Sequence, residues 1–266
     1  MGKYALRYSI LAYVTLLLLV PIVMIGYRTF EHGFAPVWNA LSSQNATHAL
    51  QLSVLITAIC VPVNVIFGVT TAWLIARHKM PLPWLVNAMI NLPFAMSPVV
   101  IGLAVYTLYG RTGWFGTYLF AHNIGVLFTW KAIAIATIFV SLPFVVREVV
   151  PVLEELGTEQ EQAAEVLGAS RLQSFFQVTL PAIRWAVVYG VVLTAARALG
   201  EFGAVNIVSG NSVGQTQTLP LFVNDSFSQF QPVAAYSAGL LLAVISLLIL
   251  VGMTTLSSRR RREASL

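Results

Sequence analysis

Four stretches without a single Asp, Glu, Lys or Arg, residues 8–27, 49–76, 80–110 and 226–258, decide most of what this chain can fold into. Each reaches the roughly 20 helical residues that cross the hydrocarbon of a bilayer. A soluble fold would need a charged shell around them. Here 58% of the 266 residues are hydrophobic and only 9% charged, against about a quarter charged in an ordinary globular domain. Lipid is the solvent that fits this balance. Pro62, Gly68, Pro93 and Pro98 fall inside the runs, which membrane helices tolerate because neighbouring groups re-satisfy the freed backbone. The short alternating segments of a membrane barrel are missing. The fold class is therefore all-α: one polytopic bundle of about six transmembrane helices over residues 1–266.

The spacing predicts helices at 9–27, 49–76, 84–109, 126–146, 185–208 and 233–256. Six crossings put both termini on one side. Lys3, Arg7, Arg77, Lys79, Arg147, Arg171, Arg184 and the run Arg259, Arg260, Arg261, Arg262 fall in segments assigned to that side, against Arg28, Arg111 and Lys131 opposite. The positive-inside bias makes it the cytoplasm. The terminal arginine run reads as a topology anchor on anionic lipid, not as a nucleic-acid site, since no aromatic interleaving or wider basic surface accompanies it. The apolar run behind Lys3 and Arg7 has no small-x-small cleavage site and is read as an uncleaved first helix. Cys60 is the single cysteine, so no disulfide can form within the chain. The outer loops, 28–48, 111–125 and 209–232, are short and weakly charged, and anything arriving from outside meets a low surface.

Most of the acidic charge sits in the cytoplasmic loop before the fifth helix, at Glu148, Glu154, Glu155, Glu159, Glu161 and Glu165. Thr158 with Glu161 has the spacing of a capping box and predicts a short helix carrying Gln162, Ala163, Ala164, Val166 and Leu167. Gly168 ends it, and Ser170 caps a second short helix over 171–179 with Leu172, Phe175, Phe176 and Val178 on its apolar surface. Leu180 and Pro181 then lead into the fifth helix. These apolar groups either pack back on the protein's own helix ends or dock into a cytosolic partner; physics of the sequence leaves both open.

The stretch EQAAEVLGASRLQSFFQVTLP resembles the EAA signature of permease subunits of binding-protein-dependent ATP-binding-cassette importers. Ala163, Ala164, Gly168, Val178, Leu180 and Pro181 fall in its register. Gln162 stands where the signature has glutamate, and Glu161 lies one place earlier. The resemblance implies that the loop, about 154–181, holds a coupling helix seated in a cleft of an ATPase subunit. Glu161, Gln162, Ala163, Ala164, Leu167, Gly168, Phe175, Leu180 and Pro181 become the coupling residues. NLPFAMSPVVIGLAVYTLYGRTGWFG, GEFGAV and GQTQTLPLFV are similar to W-type permease subunits of sulfate/thiosulfate importers, with molybdate and tungstate permeases as near neighbours. That implies a paired T-type permease, two cytosolic ATP-binding subunits, an external sulfate-binding protein and a bacterial-type inner membrane. No GxxxxGK[ST] loop occurs here, so ATP and Mg belong to the partner and this chain binds no cofactor.

Within the predicted fifth helix, Arg197 and Glu201 are four residues apart and share a face. They are either a self-neutralising pair that pins packing or the border of a translocation route, ionisable groups at membrane depth being costly unless paired or facing a polar path. Ser97, Thr194, Asn206 and Ser209 are further candidates for that route. Gly200 and Gly203 permit close helix packing, and Pro93 with Pro98 interrupts the third helix near a gate. His32, His48, His78 and His122 are scattered, and no catalytic or metal-ligating constellation emerges. A self-contained secondary anion transporter is the rival class, and it would leave the glycine-hinged loop without a mechanical role.

Overall fold

The computed structural model describes residues 2–77 and 81–263; His78 and Lys79 lie outside the described residues, as do the side chains of Lys3 and of Arg259 to Arg262. The described chain folds as α1 (Gly2–Phe30), α2 (Phe34–Leu41), α3 (Gln44–Ala76), α4 (Pro83–Ala95), α5 (Pro98–Tyr109), α6 (Gly116–Ala121) and α7 (Trp130–Leu156). It continues through α8 (Glu159–Val166), α9 (Arg171–Ser174), a π turn (Phe175–Thr179), α10 (Leu180–Leu199), α11 (Gly203–Ser209), α12 (Leu219–Ser228) and α13 (Pro232–Glu263). No strand occurs among the described residues.

Five helices are long and apolar enough to cross a membrane, and α4 with α5 forms a sixth apolar unit bent by 110°. The third helix, expected to be interrupted by Pro93 and Pro98, is two helices, with the break at Pro98 and Pro93 still inside α4. Met96 and Ser97 adopt extended backbone at the break, because Pro98 forces the residue before it out of the helical region and offers no N–H of its own. Both halves still pack on α7. Ile90 joins the cluster of Val145, Val146 and Val149, Phe94 meets Phe144 edge-on at 5.3 Å, and Ile101 and Val105 join Ala132, Ala136 and Val140. Successive halves therefore run along successive stretches of α7.

The centre is α3, α7 and α10, which pack on one another. A Cβ at Gly68 would lie 2.6 Å from Val145 Cβ, and one at Gly190 would lie 2.9 Å from Val145 Cα. Val145 is a wedge seated between two glycines, the close approach that small residues allow in membrane bundles. One turn before Gly68, Asn64 donates to Ser141 Oγ at 2.8 Å, joining α3 to α7. Gly190→Ala is expected to cost about 1–3 kcal/mol by overpacking, against alanine's helix-propensity gain of ~1 kcal/mol. A lower thermal-denaturation midpoint in detergent checks this, and an unchanged midpoint would show that the helices are not held at this spacing.

Of the apolar window of α7, 56% is buried; of α1, 0%. α1 leans on α13 and α2. The loops 28–48, 111–125 and 209–232 are more ordered than their polarity predicts, since they hold α2, α6 and α12. Exposed aromatics collect there. Phe30, Phe34 and Trp38 stack at 6.4 Å spacings, and Trp114, Tyr118 and Phe120 stand out of α6 and its approach. Such rings favour the membrane–water interface.

Candidate functional site

On the face where Arg77 ends α3, α8 projects from the bundle with no buried residue. Its end is a Schellman turn: the Gly168 N–H donates to Glu165 O and the Ala169 N–H to Ala164 O, both at 3.0 Å. Gly168 has φ +94, a conformation that glycine adopts without steric cost. The capping box expected at Thr158 does not form. Thr158 is helical in backbone and caps nothing, while its hydroxyl accepts from Gln162 Nε2 at 3.0 Å. The box forms instead at Ser170 and Gln173, whose side chains bond each other's backbone N–H.

Glu161 is missing from the Thr158 cap because it has stronger partners. Arg77 Nε donates to Glu161 Oε2 at 2.9 Å and Arg77 Nη2 to Glu161 Oε1 at 2.8 Å, a bidentate pairing that outweighs a single capping bond. Arg77 Nη1 donates to Leu153 O at 3.0 Å, and Thr179 Oγ1 donates to Glu161 Oε1 at 2.7 Å. The side chains of Arg77 and Glu161 are 5% and 16% exposed. The ends of α3 and α7, the side of α8 and the foot of α10 thus meet at one largely buried ion pair.

The apolar groups of the loop divide between the two readings that the sequence left open. Phe175 packs edge-on against Trp73 of α3 at 6.0 Å, and Leu180 packs on the same cluster. Val166, Leu167, Leu172 and Phe176 point outward, 87%, 88%, 72% and 60% exposed. Gln162 and Ala163 are exposed as well, Ala164 is half-buried, and Pro181 is exposed at the start of α10. The second short helix is not separate: α9, the π turn and α10 form one apolar span of 29 residues, Arg171–Leu199. The π turn places Phe175 on α3 while Phe176 faces out.

The fifth helix expected over 185–208 is broken in its turn, at Gly200 to Phe202, between α10 and α11. Arg197 and Glu201 therefore do not share one continuous helix, yet they pair, Nη1 to Oε2 at 2.7 Å, with side chains 32% and 1% exposed. Glu201 Oε1 also accepts from the Ala204 N–H at 2.9 Å. The acid caps the first turn of α11, and the base sits in the last turn of α10, each at the end its charge favours. This broken span lies against the other one. A Cβ on Gly203 would come within 2.9 Å of Pro98 Cβ, and one on Gly102 within 2.8 Å of Ala204 O. Thr194 is fully buried, whereas Ser97 and Asn206 are exposed. Ser209 is buried, its hydroxyl accepting from the Asn211 N–H at 3.1 Å.

A family model for binding-protein-dependent transport system inner membrane components matches residues 64–262. The chain belongs to this family. Its sequence is 48% identical over 254 residues to the sulfate transport system permease protein CysW of Synechococcus elongatus, covering 96% of this chain and 89% of that one. It is 38% identical over 253 residues to the sulfate transport system permease protein CysT of Salmonella typhimurium, covering 95% and 91%. Among solved structures it resembles a chain of a bacterial ABC transporter involved in the import of the acidic polysaccharide alginate, with a TM-score of 0.74, 16% identity and coverage of 97% and 95%. That likeness shows the permease fold.

Two features of this permease had no signal in short-range sequence. Arg77 and Glu161 are 84 residues apart, and Arg77 read only as a topology charge. The segment 209–225 is a partly buried polar knot: Asp225 accepts from Asn211 Nδ2 at 3.0 Å and from Gln217 Nε2 at 2.8 Å, Thr216 donates to Ser209 O at 2.7 Å, and Ser53 of α3 accepts from the Leu219 N–H at 2.8 Å. The GQTQT run that carried resemblance thus fixes the loop entering α12.

Proposed function

We propose that this permease forms half of the membrane pathway of an ATP-driven importer of sulfate, with thiosulfate as a second substrate. The observation that carries the importer mechanism is the projecting α8. Apart from the Glu161 carboxylate it turns little of itself into the bundle, and it ends in exposed Val166 and Leu167. Through α9 and the π turn it is continuous with a membrane span. A self-contained transporter has no use for such an arm. In our reading the arm seats in the cleft of a cytosolic ATPase, where ATP and Mg are bound, and Gln162, Ala163, Val166, Leu167 and Phe176 form the contact. What supports sulfate is the 48% identity to a sulfate permease across nearly the whole chain.

The partners follow from the same reading: a T-type permease like the 38% identical relative, two ATP-binding subunits and an external sulfate-binding protein. The unburied α1 and an open, mainly apolar groove of about 520 Å³, lined in part by Ile25, Gly200, Phe202, Asn224, Phe227 and Tyr236, mark the face where the second permease completes the pathway. Ser97 and the Arg197–Glu201 pair lie at the two breaks, Asn206 follows in α11, and Gly200 and Phe202 of the second break line the groove. Broken spans expose backbone at membrane depth only where a cavity or protein covers it. A bare arginine would trap a dianion, so the neutralising Glu201 leaves an attraction weak enough for release. Both termini face the cytoplasm, in keeping with the arginine-rich ends and six crossings.

Proteoliposomes holding the complete complex test this. Sulfate uptake is expected to require the binding protein, and ATP on the side of the membrane that carries the ATPase, and to stop when ATP is removed. Uptake that persists without ATP while an ion gradient is kept overturns the importer. A cognate binding protein that prefers molybdate or tungstate over sulfate overturns the substrate and leaves the mechanism standing.

A further inference from the structure

The EAA resemblance places Glu161 among the groups that meet the ATPase, but its carboxylate points the other way. We infer that Glu161, Arg77 and Thr179 form a strut that stays closed through the transport cycle and carries the motion of α8 into α3, α7 and α10 together, with Glu161 as a positioning residue for energy coupling. The inference rests on the importer reading above.

The geometry is that of a joint and not of a surface contact. Arg77 is the C-cap residue of α3 and its guanidinium spends three nitrogens on two other elements: Nε and Nη2 on Glu161, Nη1 on Leu153 O. Leu153 lies in the last turn of α7, where main-chain carbonyls lack intrahelical donors and a basic side chain supplies one. Thr179 ties the carboxylate to the foot of α10. Four backbone segments converge, and the pair is buried enough that water cannot replace either partner without leaving a charge unpaired.

Without this pair α8 hangs on flexible connections. Gly157 at φ +63 precedes it and Gly168 at φ +94 follows it, and among its residues none is buried. A push delivered to Val166 and Leu167 would then bend the two glycine turns. With the strut closed, the push reaches the Val145-centred core, because Arg77 directly follows the buried turn of Ile75 and Ala76. Coupling through discrete packed elements of this kind is the physical form of an energetic link between sites.

The test uses the reconstituted complex with Cys60→Ala in this chain, removing its single, buried cysteine, and with no reactive cysteine in the other subunits. In the R77C/E161C variant the sulfate imported per ATP hydrolysed is expected to fall about tenfold, a typical size for site–site coupling. Joining the two cysteines with a short bis-methanethiosulfonate is expected to restore the ratio of the C60A parent, an effect that a mere folding defect cannot give. A cross-linked complex that stays uncoupled, or an open one that keeps the parental ratio, overturns the strut. Should that variant not accumulate, E161Q and T179V are read by the same ratio, and an unchanged ratio in both overturns it. If the C60A parent itself imports no sulfate on ATP, the importer reading falls instead.

Discussion

A Gly168→Val permease is expected to insert, pair with its partners and hydrolyse ATP while importing at least about tenfold less sulfate per ATP, within the range of ordinary coupling energies. Gly168 closes the Schellman turn between α8 and Ser170 at φ +94, and a β-branched side chain there is strained by about 1–3 kcal/mol. Space is not the obstacle, since an added Cβ meets nothing within 4 Å. The strain is relieved by reshaping the turn, and the turn sets where Val166 and Leu167 point relative to α9. The bundle core contains none of these residues, so insertion and thermal stability stay close to those of the parent. G168N, whose side chain tolerates positive φ better, is expected to fall between. Parallel uptake and phosphate-release assays decide it: equal loss of both activities would place the defect in assembly, and an unchanged ratio in G168V would remove the hinge.

The second large effect lies at the other end of α10. Arg197→Met leaves the Glu201 carboxylate, 1% exposed, without its counter-charge. Breaking a buried pair from one side costs about 3–5 kcal/mol; the 32% exposure of Arg197 puts the expected loss at the low end, as solvent already screens part of the interaction. In R197M/E201Q most of that loss is expected to return. The amide oxygen introduced by E201Q can still accept from the Ala204 N–H, so the cap on α11 survives while the charge is gone. Thermal denaturation of the purified protein measures the cycle. Losses that simply add in the double variant would mean that the two groups do not act as a pair. The uptake of R197M/E201Q then separates the two readings of this site: normal uptake assigns the pair to packing alone, and lost uptake in a stable protein assigns it to the pathway.

Charge-free length told where lipid-facing helices lie, and α1, α3 and α13 contain the predicted spans 9–27, 49–76 and 233–256 whole. It was blind to what happens inside a span. Residues 84–109 are as apolar after Ser97 as before it, and 185–208 stay mostly apolar on either side of Gly200, so composition carries no mark of either break. Pro98 does mark the first, through its backbone. Gly200 marks the second only weakly, since a glycine in a membrane helix serves close packing equally well. The loop was read in part for the right reason. Gly168 and Ser170 act through local backbone geometry, which four or five residues suffice to specify. Thr158 with Glu161 and Ser170 with Gln173 have the same spacing, and only the second pair caps, because a guanidinium distant in the chain claims the first. Tertiary competition of that kind has no local signature.

The π turn at Phe175–Thr179 adds a constraint of phase. A helical residue advances about 100° around the axis, and the wider π turn absorbs an extra residue within one turn. The direction in which the arm of α8 and α9 faces is therefore set by chain length as well as by side chains. One further residue inserted between Ser174 and Leu180, where the turn already holds its extra one, would swing α8 and α9 around α10 by about that angle, taking Phe175 off Trp73 and Glu161 away from Arg77 together. A substitution here leaves that phase in place, and an insertion does not, because the geometry counts residues.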